Sequence, residues 1–335
     1  MRILITGASG FIGQYLVRAL HRAHEVWGLY ERAESFAKNP ELPRERQHVC
    51  DLRAHERLDQ LVQYVKPHIV LHLAARSEVA FSFERFREVS EVNYVGTVNL
   101  AEANRQHNPA LALFVMASTM ETYGHHPRST GAFDEDTPQR PMAPYAVAKL
   151  ACEKYLEYMQ YAYGFPFTIL RQTNAYGRTD NDFFIVERIV SQMLRGPVCN
   201  LGDPEPWRNF LWIGDLVELY ESIITQIDKA RGQVFVTGPA NALAIRSLAD
   251  AIAEIIGWRG EIKWHTTAKR PGEIYYLNSN GYKARQVLGW SPRVALLDGL
   301  MRTVEIWRGV VAKDTPLPLH VAGALGAFAA FRAKS

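Results

Sequence analysis

Short apolar runs alternate with amphipathic stretches through the first half of the chain. Residues 3–5 form an apolar, mostly β-branched run, which is typical of a buried parallel strand. Phe11, Tyr15, Leu16 and Leu20 then recur at helical spacing, so a helix is predicted directly after a glycine-rich turn. Further apolar runs predict strands at residues 25–30, around 48–50, and at 69–73, 113–117 and 167–171. Alternating strands and helices predict an α/β fold with a doubly wound parallel sheet.

The second half of the chain has a different rhythm. Residues 174–206 are rich in Gly, Asp, Asn and Arg, and residues 207–215 have the pattern of extended chain. Helices are predicted over residues 91–105 and 145–163, near 184–194, and over 243–257 and 282–288. We therefore expect a smaller, discontinuous C-terminal domain that caps the carboxyl ends of the strands. The predicted division is residues 1–173 and 211–242 for the sheet domain, 174–210 and 243–315 for the smaller domain, and 316–335 for a C-terminal tail.

Composition narrows the function classes. The 335 residues carry a net charge of +3 with acidic and basic residues interspersed, so we expect no nucleic-acid partner. Three scattered cysteines favour neither a disulfide framework nor a structural zinc site, and a reducing cytoplasm is expected. No apolar run reaches about 18 residues, so we expect no membrane span, and the interrupted apolar start is not typical of a signal peptide. The apolar segment 317–331 is expected to be a docked or frayed terminus, with membrane association as the alternative.

A glycine-rich turn follows the first predicted strand. Gly7, Gly10 and Gly13, with Phe11 and Ile12 between them, stand where a tight turn lets backbone N–H groups approach a pyrophosphate. The positive end of the following helix would face the same phosphates. We expect a dinucleotide on this turn. The alternative is an ordinary glycine-rich connection, against which the flanking strand and helix argue.

Tyr145 and Lys149 stand four residues apart and share one face of a predicted helix. A nearby ammonium and the positive nicotinamide ring of an oxidised cofactor both favour a phenolate, which can accept a proton from a substrate hydroxyl. The fifth predicted strand leads into Thr119, whose hydroxyl is expected to bond the substrate oxygen, and Glu121 follows two residues later. The alternatives are an inert Tyr–Lys pair on a helix surface and a solvated loop carboxylate.

With these residues the chain resembles the extended short-chain dehydrogenase/reductases that modify nucleotide-diphosphate sugars. The matching motifs, spread over residues 1 to about 308, are Gly7-x-x-Gly10-x-x-Gly13, Asp51-Leu52, Leu73-Ala-Ala75, Asn93, the Ser/Thr pair before Tyr123-Gly124, Tyr145-x-x-x-Lys149, Asn174-Ala-Tyr-Gly177, Arg208-Asn-Phe-Leu-Trp-Ile-Gly-Asp215 and Leu288-Gly-Trp-Ser-Pro292. Within that family, the segments around Thr119 and Tyr145 are most similar to GDP-mannose 4,6-dehydratases and GDP-4-keto-6-deoxymannose reductases. The resemblance implies a Rossmann-type sheet, a nucleotide-sugar substrate and a homodimer formed through the Tyr145 helix.

The resemblance to the dehydratases implies a reaction carried by Thr119, Glu121, Tyr145 and Lys149. Tyr145 would oxidise C4 of the sugar with the cofactor, and Glu121 would remove the C5 proton and help to expel the C6 hydroxyl before hydride returns to C6. Met120 departs from the small polar or acidic residue usual between the threonine and the glutamate, and a thioether donates no proton. A C4 epimerase or 4-keto reductase is kept as the alternative, followed by a nucleotide-diphosphate-uronate decarboxylase and a non-catalytic cofactor-binding regulator.

The cofactor is expected to be NAD, with NADP left open. An acidic residue at the end of the second strand bonds the ribose hydroxyls of NAD, whereas an arginine accepts the extra phosphate of NADP. The sequence offers both, as Glu31, one position beyond the family's usual acidic site, and Arg32. The resemblance further implies adenine contacts from Asp51 and Leu52, and cofactor contacts from Leu73, Ala74, Ala75 and Asn93.

Two arginines and an asparagine are the expected contacts of the substrate diphosphate. Arg208 and Arg270 offer bidentate forks to phosphate, and Asn174 joins them. For Arg270, a surface arginine near a turn is the alternative. Ser77 follows the fourth predicted strand and is expected to bond the sugar.

The histidines do not predict a metal site. His72 lies on the fourth predicted strand and is expected to be a hydrogen-bonded core histidine. His125 and His126 follow the Thr119 segment without a third ligand in the sequence nearby, so no metal is expected there.

Overall fold

Parallel strands form the central sheet in the computed structural model, which describes residues 1–314. In chain order the strands are β1 (Arg2–Thr6), β2 (Glu25–Tyr30), β3 (Gln47–Val49), β4 (Ile69–His72), β5 (Leu113–Thr119), β6 (Phe167–Gln172), β7 (Asn174–Tyr176), β8 (Val198–Asn200), β9 (Trp207–Arg208), β10 (Phe210–Trp212), β11 (Gln233–Val236), β12 (Leu243–Ala244) and β13 (Glu261–Lys263). The α-helices are α1 (Phe11–Leu20), α2 (His55–Val65), α3 (Val79–Glu84), α4 (Phe86–Ser90), α5 (Gly96–His107), α6 (Pro144–Tyr163), α7 (Ile185–Arg195), α8 (Ile213–Thr225), α9 (Ile227–Ala230), α10 (Ile245–Ile256), α11 (Tyr282–Leu288) and α12 (Leu296–Asp314).

The seven-stranded sheet has the order β11-β6-β5-β4-β1-β2-β3, and every neighbouring pair in it is parallel. From β1 the chain winds to one side through β2 and β3, and then to the other side through β4, β5, β6 and β11. The reversal lies between β1 and β4, where Ile3 is in register with Ile69 on one side and Val26 on the other. A crevice opens beyond the carboxyl ends of the strands at such a reversal, so the ends of β1 and β4 mark the place for a ligand.

Both faces of the sheet are covered by helices, as the alternating pattern predicts. Leu4 and Ile5 are consecutive residues of β1 and point to opposite faces. Ile5 belongs to one hydrophobic cluster with Leu16 of α1 and Leu219 of α8. Leu4 belongs to a second cluster with Leu100 of α5. The sheet is therefore buried on both sides, which explains why its strands are apolar runs rather than alternating ones.

A third hydrophobic cluster is formed by α7, α10 and α12, which contribute Ile189, Leu248 and Val304. Short strand pairs accompany these helices, namely β7 with β10, β8 with β13 and β9 with β12. The division of the chain into two domains stays a prediction, and α11, within the range predicted for the smaller domain, packs on β11 and α9. The predicted tail, residues 316–335, lies outside the described residues. Within residues 1–314, every helix is too short or too polar to cross a membrane.

Most of the predicted elements are confirmed, with shifts at their ends. The predicted helix over 91–105 begins with a π-helical turn, Glu91–Val95, and continues as α5. The prediction of extended chain over 207–215 is wrong in its last part, because α8 begins at Ile213 and buries apolar residues at helical spacing. The apolar pattern does not single out β11, an edge strand in which only Phe235 and Val236 are buried.

Candidate active site

The glycine turn has the open backbone that a dinucleotide needs. Gly7 follows β1 with φ at +68°, in the left-handed region, and a Cβ there would lie 2.9 Å from the backbone of Ala74. A Cβ at Gly13 would lie 2.3 Å from the carbonyl oxygen of Gly7, so a side chain would push α1 away from the turn. Gly10 is the N-cap of α1, and the first residues of that helix line a cleft. This cradle fits the pyrophosphate of a dinucleotide, whose negative charge suits a helix N-terminus.

A cleft of about 1030 Å³ brings most of the predicted site residues together. It runs along the carboxyl edge of the sheet, past the reversal between β1 and β4. Its lining includes the predicted residues Gly7, Gly10, Phe11, Ile12, Gly13, Glu31, Asp51, Leu52, Leu73, Ala74, Ala75, Ser77, Thr119, Glu121, Tyr145, Asn174, Arg208 and Arg270. Three other predicted residues, Arg32, Asn93 and Lys149, are not part of that lining.

Of these three residues, one is exposed and two are buried behind the cleft wall. Arg32 is exposed beside Glu31. Asn93 is buried, and its amide accepts from the Arg76 backbone N–H at 2.7 Å and donates to the Arg76 carbonyl at 3.1 Å. Lys149 is buried, and its Nζ donates to the Ala117 carbonyl oxygen at 2.8 Å. Asn93 thus supports the loop after β4, and Lys149 ties α6 to the end of β5.

Tyr145 and Thr119 meet where α6 begins and β5 ends. Pro144 opens α6, because its fixed φ suits the first helical position, and Tyr145 follows in the first turn. The Thr119 hydroxyl accepts from the Glu121 backbone N–H at 3.2 Å, and it lies close enough to the Tyr145 phenol to lower the pKa of that phenol. Both side chains are largely buried but still line the cleft. A substrate hydroxyl in the cleft can therefore reach both oxygens.

Burial decides the protonation of the two helix residues. Burial, and then the Glu121 carboxylate, raise the pKa of the Tyr145 phenol, whereas the neighbouring Thr119 hydroxyl lowers it. Burial lowers the pKa of the Lys149 ammonium below its usual range. The phenol is therefore neutral at pH 7, and a positive charge beside it is needed to make it a base.

Two arginines occupy the other part of the cleft and share one carboxylate. Arg270 donates to Glu273 through Nη2 at 2.6 Å and Nε at 2.9 Å, and Arg208 donates to the same carboxylate through Nη2 at 3.3 Å. Burial lowers the pKa of Arg208, and the carboxylates of Glu121 and Glu273 act against it. Glu121 lines the same cleft as Tyr145, Arg208 and Arg270, and its charge acts on all three.

Two residues that line the cleft and pair with predicted site residues escape the sequence analysis. Glu273 stands three residues after Arg270 in the loop Lys269-Arg-Pro-Gly-Glu273, and this spacing is the signal that would have found it. Arg76 directly follows the Leu73-Ala-Ala75 motif and binds Glu31 through two hydrogen bonds. Both residues line the cleft.

Met120, which departs from the family pattern, lies outside the cleft lining, and so does Asn209. Met120 is buried in an apolar cluster with Tyr123, Phe133 and Ile274. Asn209 is buried as well, and its side-chain oxygen accepts from the Ser279 hydroxyl at 3.2 Å. Met120 therefore acts as a packing residue, and position 120 supplies no proton donor to Glu121.

The prediction for His72 is confirmed. Its ring is fully buried and hydrogen-bonds the hydroxyls of Thr6 at 2.8 Å and Thr97 at 2.9 Å. Within residues 1–314, His, Cys, Asp and Glu form no group of three that could hold a metal ion.

The fold and the site define a class of protein. The glycine turn lies where the strand order of the parallel sheet reverses. Thr119 ends β5, and Tyr145 lies beside it in the first turn of α6. This arrangement is typical of a dinucleotide-dependent enzyme of the Rossmann type. The family model for GDP-mannose 4,6 dehydratase matches residues 4–303. The chain belongs to the extended short-chain dehydrogenase/reductase family of nucleotide-sugar epimerases and dehydratases.

Curated relatives carry both activities in their names. The UDP-glucose 4-epimerase of Mycolicibacterium smegmatis is 32% identical over 316 residues, which span 92% of this chain and 99% of that protein. The dTDP-glucose 4,6-dehydratase of Streptomyces niveus is 30% identical over 333 residues, which span 95% of this chain and 96% of that protein. Epimerases and dehydratases therefore both occur among relatives of similar identity.

Solved structures give the same division. The UDP-glucose 4-epimerase of Thermus thermophilus, crystallised with NAD, has a TM-score of 0.83 at 30% identity and covers 92% of this chain and 99% of its own. A dTDP-glucose 4,6-dehydratase of Streptomyces venezuelae, also with NAD, has a TM-score of 0.82 at 26% identity and covers 92% of this chain and 97% of its own.

Proposed function

We propose that the protein is a nucleotide-diphosphate-sugar 4,6-dehydratase that uses bound NAD. The observation that carries the proposal is the place of Glu121, which lines the same cleft as Tyr145, Arg208 and Arg270 and acts on all three through its charge. An epimerase or a keto reductase needs a redox step at C4 alone. A dehydration also needs a base for the C5 proton, and Glu121 supplies one.

The cofactor part of the proposal rests on the glycine cradle and on the carboxylate at the end of β2. Gly7, Gly10 and Gly13 leave room for a pyrophosphate, and Glu31 is an acceptor for ribose hydroxyls. Held by these residues, NAD would supply the hydride acceptor for the oxidation at C4 and the hydride donor for C6. The two solved relatives named above both hold NAD.

Tyr145 removes the proton of the C4 hydroxyl. Thr119 bonds the same substrate oxygen and shares its proton. The positive ring of the oxidised cofactor would favour the phenolate against the burial that raises the pKa of the phenol. The charge of Lys149, one helical turn away on α6, is proposed to act in the same direction. Lys149 acts from a fixed position, because its ammonium is held by the Ala117 carbonyl.

Glu121 then performs the elimination. The C4 ketone acidifies the neighbouring C5–H bond, and the Glu121 carboxylate takes that proton. The C6–O bond breaks, and the leaving hydroxyl takes a proton and departs as water. Since Met120 is buried away from the cleft, the protonated Glu121 is the donor for that hydroxyl and so returns to its carboxylate form. After hydride reaches C6, C5 takes up a proton that comes from water, either directly or through a Glu121 that water has reprotonated.

The diphosphate of the substrate is bound by Arg208 and Arg270. Their guanidinium groups are oriented by Glu273, which accepts from both. Asn174 and Ser77 line the same cleft and are proposed to bind the diphosphate and the sugar, respectively.

A C4 epimerase is the second candidate. The burial of Met120 favours it, because Glu121 then has no acidic partner for the departure of water. The 32% identity with a UDP-glucose 4-epimerase favours it as well. A 4-keto reductase or a nucleotide-diphosphate-uronate decarboxylase would use the same Tyr145 and cofactor.

Mass spectrometry of the products tests the proposal. The purified protein with NAD is incubated with GDP-mannose, dTDP-glucose, UDP-glucose and UDP-glucuronate in turn. We expect one hexose derivative to lose the mass of water. An isomer of unchanged mass would support the epimerase, and loss of carbon dioxide would support the decarboxylase. If none of the hexose derivatives loses water, the dehydratase is refuted.

We also propose that the enzyme is a cytoplasmic homodimer formed through α6. This helix exposes apolar and aromatic side chains, since Val147, Tyr158 and Tyr161 are 53%, 48% and 94% exposed. The three cysteines are free and buried, which is consistent with a reducing compartment. Light scattering in solution is expected to give twice the chain mass, and a monomeric mass would contradict the dimer.

A further inference from the structure

Arg76 is fixed at both ends at the carboxyl edge of the sheet. Its backbone is held by the buried amide of Asn93. Its guanidinium meets Glu31 as a fork, with Nη2 at 2.8 Å from Oε1 and Nη1 at 3.2 Å from Oε2. The third nitrogen, Nε, donates to Glu88 at 3.0 Å. A side chain held in this way has a defined place in the cleft.

This place is where the adenosine ribose of a dinucleotide is recognised. Glu31 directly follows β2, and the carboxylate at that strand end is the group that meets the ribose hydroxyls. Arg76, Glu31 and Asp51 all line this part of the cleft, whereas Arg32 is exposed and outside the lining. Arg76 is therefore the arginine that faces the ribose carboxylate, although Arg32 is nearer in sequence.

We propose that Arg76 sets the preference for NAD over NADP by orienting Glu31 toward the ribose hydroxyls. When Glu31 is replaced by a neutral residue, Arg76 becomes a ligand for the 2′-phosphate of NADP. The inference rests on the nicotinamide cofactor of the proposed function, and it does not depend on which sugar reaction follows. A carboxylate held by a bidentate arginine accepts two ribose hydroxyls with its remaining lone pairs.

The same pair excludes a 2′-phosphate. A phosphate at this position would stand beside the Glu31 charge, and it would have to displace Glu31 from the guanidinium fork. When Glu31 is neutral, the fork is released and offers two N–H groups to phosphate. Glu88 keeps Arg76 in the cleft in that case, since its contact with Nε does not involve Glu31.

The test is the affinity for the cofactor rather than turnover. Isothermal titration calorimetry gives the Kd of NAD and of NADP for the full chain and for three variants: Glu31→Gln, Glu31→Gln with Arg76→Gln, and Glu31→Gln with Arg32→Gln. The Arg32 change is the matched control, because it removes an adjacent arginine outside the cleft. All three positions are partly or fully exposed, and the melting temperature of each variant reports its folding.

We expect Glu31→Gln to tighten NADP binding at least tenfold relative to NAD. Adding Arg76→Gln is expected to abolish the gain, and adding Arg32→Gln to preserve it. The proposal is overturned if Glu31→Gln brings no gain, or if the gain depends on Arg32 and not on Arg76. An intact protein that binds NAD but dehydrates no sugar would refute the dehydratase and leave the role of Arg76 standing.

Discussion

The ammonium group of Lys149 donates to the backbone carbonyl oxygen of Ala117, 2.8 Å away. This contact joins the first turns of α6 to the last residues of β5, two elements that carry Tyr145 and Thr119. The charge of Lys149 therefore lies where the two elements that carry the proposed catalytic residues meet. Its loss should change both the rate and its dependence on pH.

Lys149→Met is expected to lower kcat by about 100-fold or more, which is the effect expected when a side chain that assists proton transfer is removed. Because burial lowers the pKa of Lys149, its charge is lost at a lower pH than in an ordinary lysine. The wild-type rate should therefore fall on the alkaline side as pH rises through that lowered pKa. A kcat profile from neutral to alkaline pH measures this limb, and an identical profile for the Met variant would argue against the assignment.

Glu153 lies one helical turn after Lys149 on α6, and we expect it to position Thr119 through its contact with Ser118 of β5. It is fully buried, accepts from the Ser118 hydroxyl, and accepts from Arg171 at 3.0 Å and Gln139 at 2.9 Å. Ser118→Ala removes the link to β5 and leaves the ion pair with Arg171 intact. We expect a fall in kcat of about tenfold with little change in KM, since only the alignment of Thr119 is disturbed.

The controls for this prediction lie on the same helix. Glu157→Gln breaks a partly exposed pair with Lys154 and is expected to leave kcat unchanged. Glu153→Gln would leave Arg171 uncompensated and is expected to destabilise the fold by roughly 3–5 kcal/mol. A Ser118→Ala enzyme with wild-type kcat would show that the contact is structural only.

His72 is expected to make the fold sensitive to acid. Burial, and then the charge of Lys149, lower its pKa from 6.5 to about 3 in the folded protein. Between these values the unfolded chain binds a proton that the folded one does not, so stability is lost as pH falls below 6.5, by about 1.4 kcal/mol per unit. Urea unfolding at several pH values should show this slope reduced in His72→Gln, and an unchanged slope would refute the assignment.

The arginine pair is expected to control substrate affinity. Arg208→Gln leaves the Glu273 carboxylate with one partner instead of two and removes a phosphate fork, so the Kd of a nucleoside diphosphate should rise about tenfold or more. Arg285→Gln, on the exposed side of α11, is the control and should bind as the wild type does. Calorimetric titration with UDP, GDP and dTDP also identifies the nucleotide. Equal affinities of the two variants would exclude Arg208 from the site.

The parts of the site that sequence predicts are those carried by local patterns. Gly7, Gly10 and Gly13 are fixed by the turn between β1 and α1, and Tyr145 by its spacing from Lys149 on one helix. These patterns lie within a few residues of the chain, so the sequence is sufficient to place them.

The parts that sequence does not predict depend on distant contacts. Arg76 meets Glu31 across 45 residues, and Glu273 meets Arg208 across 65 residues, so neither pair has a local signal. The sequence does not predict that α8 begins at Ile213, because Ile213 continues the apolar run of β10. The helix is stabilised there by its packing against α1, which is distant in sequence. The role of Met120 likewise depended on the cluster around Phe133, which long-range folding assembles.

The origin of the hydrogen at C5 of the product tests the central claim most directly. The reaction is run in deuterium oxide with the nucleotide sugar that binds best, and the product is analysed by NMR. If Glu121 abstracts the C5 proton, the product has lost water and carries deuterium at C5, and Glu121→Gln abolishes both changes while Tyr145 still oxidises C4. A product that keeps its original C5 hydrogen and all of its oxygen, formed equally by the Glu121→Gln enzyme, would contradict the dehydratase and establish a C4 epimerase.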